Sequence, residues 1–416
     1  MALLSDALRH SLPDPSPAER VLIERFMASA ADGRRTRAFE AFARTGLPHR
    51  RLEAWKWSDF RAALADLAPV GTPAQGTPLP VGAGAVSLRF SGSDIQLPDE
   101  LPEGLRLHAK SDAQALGDAE SVPMAALAAA LARREAGPDT VILEAISPVS
   151  RPVHLIFEGG ATDLNLARIA VIVRPEASLD LVESHLGGAA LSSALIEIGV
   201  QSGGSVRRTL LQRGGDAEAQ AVTAMVHLDR GARLVQTALA FGARVARIET
   251  RLTHQETGSA ATLNSAYLCA AGQHVDFTSH VRHGAPSCKT RQVTKGAVMR
   301  GGRGVFQGKF LVPRHVGQHT DADMQHQALL LEQGAEVFAK PELEIYADDV
   351  ECAHGNTSGA LDPDQLFYLR QRGLPLTEAR AMLTEAFIAE ALELAGAGTH
   401  EALSAAAADF LSGAGA

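Results

Sequence analysis

The chain of 416 residues is poor in cysteine and in aromatic side chains, and each scarcity argues against one class of protein. Its three cysteines, Cys269, Cys288 and Cys352, form no Cys-x-x-Cys pair. No disulfide framework is therefore indicated, and a reducing compartment would keep all three as thiols. Aromatic residues make up 5% of the chain, whereas glycine occurs 38 times. This balance favours many short strands and tight turns over a large helical core.

The sequence also lacks the marks of nucleic-acid-binding and membrane-spanning proteins. Its formal net charge is −9 and its pI is about 5.9, whereas a nucleic-acid footprint is basic. It contains no run of about 18 apolar residues, so no membrane span is expected. The N-terminus has neither the basic region nor the apolar core of a signal peptide, which predicts a cytoplasmic location.

No motif of a common enzyme class is present. The sequence contains no nucleophile elbow, no Walker lysine loop and no His-Glu-x-x-His. Gly301-Gly-Arg-Gly304 is not followed by Lys-Ser or Lys-Thr, and we interpret it as a turn between strands. The chain is therefore predicted to be a scaffold without catalytic activity, and any ATP would be hydrolysed by a partner.

Regularly spaced glycines are the most informative pattern that is present. Gly204, Gly231, Gly258 and Gly284 lie 27, 27 and 26 residues apart, and each interval holds two alternating apolar runs. A fixed period of this length with two strands per repeat and no helix predicts a β-solenoid. The alternative is a β-meander or sandwich in which the spacing is accidental.

Helical patterns flank this region. Ser16-Pro17-Ala18-Glu19 has the residues of a capping box, and Asp362-Pro363-Asp364-Gln365 repeats the N-cap pattern near the C-terminus. The expected organisation has four parts, in a length that predicts two or three domains. They are an N-terminal helical region (1–65), a linker with a small ancillary α/β region (66–140), the β-solenoid core (141–358) and a C-terminal helical domain (359–416).

The segment from Glu342 to Gly359 carries the candidate site. Its alternation predicts a strand over Leu343–Val350, at the C-terminal end of the solenoid. Cys352 and His354 follow, and residues i and i+2 of an extended chain point to one side. A thiol beside an imidazole suits zinc, copper or an iron–sulfur cluster. The alternative is a buried cysteine and a hydrogen-bonded histidine. Two ligands do not complete a four-ligand site, so others must come from elsewhere.

The remaining histidines do not form a recognisable ligand pattern. None of them has a carboxylate at a regular ligand spacing, so we interpret them as surface or turn residues, with transient iron contacts as the alternative. The set is His274, His280, His283, His315, His319 and His326.

Several motifs together resemble the SufB/SufD family of iron–sulfur cluster assembly. They are Ala347-Asp-Asp-Val-Glu-Cys-Ala-His-Gly355, Gly359-x-Leu-Asp-x-x-Gln-Leu-Phe-Tyr-Leu-Arg370, Arg372-Gly373, Phe306-Gln-Gly-Lys-Phe310, Gln318-x-Thr320, Gln325 to Leu331 and Glu53-Ala-Trp-Lys-Trp57. The similarity spans about residues 150–395. Members of the SufB branch are longer and carry an N-terminal cysteine cluster. The first cysteine here is Cys269, so the chain resembles the SufD branch.

The resemblance implies a mainly β fold, a right-handed parallel β-helix flanked by helical regions. It implies a transient Fe–S cluster shared with a partner, with His354 the stronger ligand and Cys352 the second, and no cofactor held tightly by this chain alone. The implied partners are a SufB-like subunit at the last coil and a SufC-like ABC ATPase at the C-terminal helices. The interface residues expected are Leu343, Ile345, Ala347 and Val350 for the first, and Leu366, Phe367, Leu383 and Phe387 for the second. Whether two copies pair when SufB is absent stays open.

Two other functions remain open at this point. One is a β-helix enzyme acting on polysaccharides, for which Asp321, Asp323, Asp348 and Asp349 are the dense acidic set near the solenoid end. The other is a purely structural subunit in which Cys352 and His354 are inert.

Overall fold

The computed structural model of the chain describes residues 12–29, 33–70, 76–82, 84–92, 94–110, 118–132, 140–314, 319–396 and 398–414. The helices are α1 (Pro17–Ala28), α2 (Gly33–Ala43), α3 (Phe60–Ala63), α4 (Pro123–Leu131), α5 (Pro363–Gln371), α6 (Leu376–Leu392) and α7 (Thr399–Ala414). The strands are β1 (Val86–Ser91), β2 (Asp94–Gln96), β3 (Leu105–Lys110), β4 (Thr140–Ala145), β5 (Val153–Phe157), β6 (Thr162–Val173), β7 (Ser178–His185), β8 (Ala189–Val200), β9 (Ser205–Gly214), β10 (Ala219–Leu228), β11 (Arg233–Gly242), β12 (Val245–His254), β13 (Ala260–Cys269), β14 (His274–His283), β15 (Lys289–Val298), β16 (Arg303–Val312), β17 (Thr320–Leu330), β18 (Glu336–Ile345) and β19 (Val350–Gly359).

Successive strands alternate between two sheets, which makes the core a parallel β-solenoid of about eight coils. One sheet has the order β19-β17-β15-β13-β11-β9-β7-β5-β1-β2, and the other has the order β18-β16-β14-β12-β10-β8-β6-β4-β3. From β4 onward, every coil contributes one strand to each sheet. The solenoid predicted from the glycine period is therefore confirmed, with helices at both ends of the chain.

The coils stack in register, so aligned side chains form columns. Leu234 of β11 aligns with Val206 of β9 and with Ala261 of β13, and all three are buried in the main core. Because aligned residues of a parallel pair point the same way, one apolar position per coil yields a continuous apolar column. This stacking, repeated at several positions, forms the hydrophobic interior.

Some of the regularly spaced glycines mark the corners between coils. Gly231 and Gly258 precede β11 and β13 with φ angles of 63° and 76°, a left-handed conformation that costs glycine little. Gly204 immediately precedes β9. Gly284, however, directly follows β14, and the left-handed position before β15 is taken by Ser287, with a φ angle of 57°.

The N-terminal end of the solenoid finishes with antiparallel strands. β1 extends one sheet by parallel pairing with β5, and β2 then pairs antiparallel with β1. β3 pairs antiparallel with β4 at the same end of the other sheet. A short antiparallel strand interrupts the coil repeat, which is one way to blunt a sheet edge.

The N-terminal helices cover part of one outer surface. The side chains of Ser16 and Glu19 form the capping box of α1 that the sequence predicts. Phe26 of α1 and Phe39 of α2 stack with ring centroids 4.0 Å apart. α4 packs between these helices and β8, burying Leu195. Aromatic stacking and burial therefore attach this helical region to the solenoid.

The C-terminal helix α6 covers the outer face of the other sheet. Its Ile388 and Leu392 join one core cluster with Leu268 and Ala297 of the sheet. Lys295, buried on β15, forms an ion pair with Glu390 of α6. Within the described residues, no helix combines the length and hydrophobicity needed to cross a bilayer.

The solenoid interior also holds a fully buried ion pair. Arg208 donates to both carboxylate oxygens of Glu183 at 2.6 and 2.8 Å and to Gln236 at 2.7 Å. Burial by itself would raise the pKa of Glu183, but Arg208 and His185 outweigh it and hold that pKa at about 2. Loss of one partner would leave an uncompensated buried charge, which is strongly destabilising. The coils that carry Glu183 and Arg208 are therefore held in register with each other.

The segment predicted as one strand over Leu343–Val350 is instead divided by a corner. β18 ends at Ile345, residues 346–349 turn between the sheets, and β19 begins at Val350. The alternation of Leu343 and Ile345 is correct, but Asp348 and Asp349 favour a turn, and the solenoid needs a corner in each coil. Cys352 and His354 therefore lie inside β19, which continues through the glycine-rich residues to Gly359.

The interpretation of the histidines as surface or turn residues is wrong for three of them. His274, His283 and His326 are buried, because their strands direct them into packed layers. His319 is an exposed turn residue, and its ring nitrogen lies 3.1 Å from the carboxylate of Asp349. His280 is half-buried, and His315 lies outside the described residues.

Buried histidines predict that the chain loses stability in acid. Burial, reinforced by the charge of His283, lowers the pKa of His254 from 6.5 to about 3. The unfolded chain takes up a proton at His254 below pH 6.5, and the folded chain does not until about pH 3, so the free energy of unfolding falls across that window. His254→Gln should make this fall shallower by up to about 1.4 kcal/mol per pH unit.

The measurement is urea unfolding as a function of pH. Above pH ~7.5 both proteins should give parallel curves, because histidine at its ordinary pKa is then neutral in the unfolded chain as well. Equal slopes below pH 6.5 would contradict a neutral, buried His254.

A second prediction concerns Gly296 on β15. A Cβ atom there would lie 2.0 Å from Cζ of Tyr267, whose ring fills the space beside this glycine. Gly296→Ala should therefore lower the free energy of unfolding by about 1–3 kcal/mol, the usual cost of overpacking. The control is Gly359→Ala on β19, where a Cβ would have no neighbour within 4 Å. Equal thermal midpoints for the two variants would show that Tyr267 does not occupy this space.

Candidate functional site

The solenoid has an open end at its last coil. Among the described residues, β18 pairs with β16 alone and β19 pairs with β17 alone. The main-chain groups on the outer edges of both strands are therefore available to another strand. Most side chains of β18 are half-buried, and residues 353–359 of β19 are exposed. This partial burial is expected for a terminal coil, which packs against another coil on one side only.

Cys352 and His354 lie on this last coil and point towards the solenoid interior. In the register of β19 with β17, Cys352 aligns with Ala322 and His354 aligns with Met324. Ala322 and Met324 are buried in the main core, so the two residues stacked on them face the same interior. Cys352 is half-buried against that core, and His354 is exposed. The thiol and the imidazole thus end two interior columns.

The electrostatic surroundings keep the Cys352 thiol protonated in the free chain. Burial raises its pKa, and the nearby Asp321 carboxylate raises it further, against a smaller opposing effect of the Ala322 backbone. Asp321 is itself held by both terminal nitrogens of Arg291, at 2.8 and 3.0 Å. Since a metal takes the thiolate, binding at Cys352 would have to displace a proton.

The pair does not make a complete metal site within this chain. In the part of the chain that the structure describes, no group of three or more His, Cys, Asp or Glu side chains is arranged to hold a metal ion. A structural zinc or an iron–sulfur cluster takes four ligands in its common forms. Cys352 and His354 can supply two of them, and any others must come from a molecule that covers the open end.

The four residues expected at the sheet-edge interface all lie on the last coil. Leu343 aligns with Phe310 and packs on the core, while Ile345 aligns with Val312 and is exposed. Ala347 lies in the corner, and Val350 begins β19; both are half-buried.

The four residues expected at the helical interface divide into two groups. Phe367 of α5 is 64% exposed and Leu366 is half-buried. On α6, Leu383 is half-buried, and Phe387 packs beneath Lys295, whose Nζ lies 4.4 Å from the ring centroid. Phe387 therefore serves the contact between α6 and its own solenoid.

Besides Phe367, several other apolar residues of α5 and α6 are exposed, and they were not among the residues predicted from the sequence. Tyr368 of α5 is 57% exposed, and Leu376 and Met382 of α6 are 44% and 47% exposed. We call Phe367, Tyr368, Leu376 and Met382 the α5–α6 apolar surface. The sequence does contain an indication of this surface. Leu366, Phe367 and Tyr368 are three consecutive apolar residues, and consecutive residues of a helix point in different directions, so they cannot all face the same core.

A buried histidine directly beneath the site was also missed. His326 of β17 bonds to Asn356 of β19, with Nδ1 and Oδ1 2.7 Å apart. The alternation of β17 could have predicted that His326 points inward with Ala322 and Met324. It could not have predicted the hydrogen bond to Asn356, which lies on another coil.

The other two cysteines lie away from the open end. Burial raises the pKa of Cys269 to about 12, against weaker opposing backbone contacts, and burial also raises the pKa of Cys288. Both thiols are thus held in the unreactive protonated form.

Comparison with known proteins places the chain among assembly factors. The family model described as SUF system FeS cluster assembly, SufBD core domain, matches residues 156–387, which is more than half of the chain. The matched segment includes all strands from β6 to β19 together with α5.

Individual relatives agree with the family model. The chain is 39% identical over 152 residues to the iron–sulfur cluster assembly protein SufD of Escherichia coli, covering 36% of each chain. It is 31% identical over 271 residues to a SufBD family protein of Synechocystis, covering 61% of this chain and 59% of the relative. It is 28% identical over 258 residues to the chloroplastic protein ABCI7 of Arabidopsis thaliana, covering 59% and 54%.

These alignments therefore span between about a third and three fifths of the relatives' lengths. The family model covers most of the solenoid, including the coil that carries Cys352 and His354. The chain therefore belongs to the SufB/SufD family of the SUF iron–sulfur cluster assembly system.

Proposed function

We propose that the chain is a non-catalytic scaffold subunit of a cytoplasmic iron–sulfur cluster assembly complex. Its last coil pairs with a SufB-like subunit, and the nascent cluster is cargo held across the seam between the two proteins. The observation that carries the proposal is the open end of the solenoid, where Cys352 and His354 terminate interior columns beside unpaired strand edges.

Strand addition accounts for the pairing. An exposed strand edge binds another strand through main-chain hydrogen bonds, and alternate side chains provide specificity. β18 and β19 present two such edges side by side, one from each sheet. A partner that is itself a solenoid with an open last coil would continue both sheets and bury Leu343, Ile345 and Val350 at the joint.

The two candidate ligands would have different roles at that joint. His354 is exposed, so its imidazole is available to iron without reorganisation of the chain. Cys352 is half-buried with a raised pKa, so it would bind more slowly and only with loss of a proton. A site whose ligands are divided between two proteins opens when the proteins separate, which suits a cluster that must be passed on.

The α5–α6 apolar surface is the proposed docking site for a SufC-like ABC ATPase. Residues 360–362 alone separate β19 from α5, so a displacement of α5 acts directly on the strand that carries His354. ATP-driven movement of the tail could in this way open the seam, while the hydrolysis itself takes place in the partner.

The alternative of a polysaccharide-acting enzyme is not favoured. Of the acidic residues it would use, Asp321 is bound by Arg291, Asp323 accepts from Gln325 at 3.1 Å, and Asp349 lies against His319. Side chains held in such pairs are poorly suited to the acid and base roles of glycoside hydrolysis.

The first test of this proposal is His354→Ala in the chain produced together with SufB-like and SufC-like subunits. Loss of one iron ligand should lower the iron and acid-labile sulfide content of the purified complex more than ~10-fold. Even residues that only hydrogen-bond to a metal's ligands typically change metal affinity by about 10-fold or more when they are substituted. Cys352→Ser should lower it less. The matched control is His400→Ala at the start of α7, remote in sequence from the last coil.

Subunit composition decides how the result is interpreted. A complex of normal composition and full cluster content in His354→Ala would remove His354 from the mechanism. Full content in the double variant with Cys352→Ser would leave the chain a purely structural subunit.

The second test is Phe367→Asp on α5. A charge on the α5–α6 apolar surface should weaken capture of the ATPase by about 30-fold or more, as expected for a hot spot of 2 kcal/mol or more. Pairing with the SufB-like subunit should be unchanged. Gln365→Asp, also exposed on α5, is the control. Undiminished ATPase capture by Phe367→Asp would place the docking site elsewhere.

A further inference from the structure

His326 is built into the solenoid interior one coil below the candidate ligands. It lies on β17 and is 1% exposed. Its ring stacks on Phe306 of β16, with centroids 4.8 Å apart and planes 1° from parallel. A polar ring in such a place is costly unless both nitrogens have partners, so the identity of those partners matters.

Both nitrogens of His326 are satisfied, and the partners lie on different coils. Nε2 is 2.9 Å from the hydroxyl of Tyr267 on β13, and Nδ1 is 2.7 Å from Oδ1 of Asn356 on β19. The amide oxygen of Asn356 accepts, so Nδ1 carries the hydrogen and Nε2 accepts from the tyrosine hydroxyl. These three side chains form one hydrogen-bonded chain, which we call the interior relay.

Two glycines allow the interior relay to cross a coil. Tyr267 reaches past β15 to His326, and the space it fills belongs to the positions of Gly296 and Gly304. A Cβ on these glycines would lie 2.0 Å and 2.2 Å from atoms of the Tyr267 ring. Tyr267 is itself fully buried. The interior relay therefore links β13 to β17 and β19, and no side chain of the intervening strand β15 takes part in it.

The last strand needs such a connection because little else specifies its register. Residues 353–359 are exposed, and they include Gly355, Asn356, Thr357, Ser358 and Gly359. A strand that is polar on both faces and rich in glycine is prone to slip along its neighbour. Cys352 packs on the core near one end of β19, and Asn356 bonds to His326 near the middle.

We propose that the interior relay locks the register of β19, which makes His326 and Asn356 positioning residues for the iron ligands at the open end. The positioning of iron ligands rests on the proposed function, whereas the register lock does not. A slip of one residue would turn Cys352 and His354 to the opposite face of the sheet, away from the interior columns they end.

The test of the lock uses the complete chain without its partners. Asn356→Ala removes the acceptor and leaves the buried Nδ1 of His326 without a partner. Amide hydrogen exchange of residues 350–359, and alkylation of Cys352 by iodoacetamide, should both become about 10-fold faster, the range expected for loss of a buried hydrogen bond. Thr357→Ala, exposed on the next position of the same strand, is the matched control and should change neither rate.

A conservative variant and a spectroscopic signature separate positioning from a general loss of stability. Asn356→Asp keeps an oxygen acceptor for Nδ1 and should restore slow exchange. Nitrogen NMR of His326 should show hydrogen on Nδ1 alone in the unchanged chain and in Asn356→Asp, and a mixture of tautomers in Asn356→Ala. Unchanged exchange and an unchanged tautomer in Asn356→Ala would overturn the lock.

Cluster content then tells the two proposals apart. If both hold, Asn356→Ala lowers the iron and sulfide content of the co-expressed complex, as His354→Ala does. Faster exchange in Asn356→Ala together with full content in the double variant of His354→Ala and Cys352→Ser refutes the cluster-holding role and leaves the lock intact. Low content in His354→Ala with unchanged exchange in Asn356→Ala refutes the lock alone.

Discussion

In-register stacking of parallel coils is the constraint on which the rest of this structure depends. Each coil buries its inward side chains only because the next coil supplies matching side chains at the same positions, as Leu234 does between Val206 and Ala261. A coil with one neighbour leaves half of that interaction unmade. At the N-terminal end the chain finishes the sheets with antiparallel strands, whereas at the C-terminal end β18 and β19 keep their outer edges.

The candidate site is a direct consequence of that unfinished end. Cys352 ends one interior column and His354 ends the next, so the last coil presents a thiol and an imidazole where another solenoid would continue the stack. Several polar residues deeper in the interior have their partners within this chain, such as Arg208 with Glu183 or His254 with Ser259 and Thr290. Cys352 and His354 differ from these in position, because they lie on the coil where the stack ends.

Much of this could be predicted from the sequence, but two features could not. The glycine period indicated a solenoid, and the family motifs indicated the last coil as the site. The corner at residues 346–349 was missed because alternation continues through Ala347 by chance. The buried histidines were missed because a polar residue is predicted to be outside unless its partners are known. The partners of His326 lie on β13 and β19, far away in sequence.

By itself, the sequence determined the repeat, the caps of α1 and α5, and the neighbouring placement of Cys352 and His354, because all of these depend on residues close together in the chain. Only the tertiary structure decided which side chains share a column, which histidines are neutral and buried, and which exposed apolar residues gather on α5 and α6. Those outcomes depend on register between coils, and register is set by packing over the whole stack.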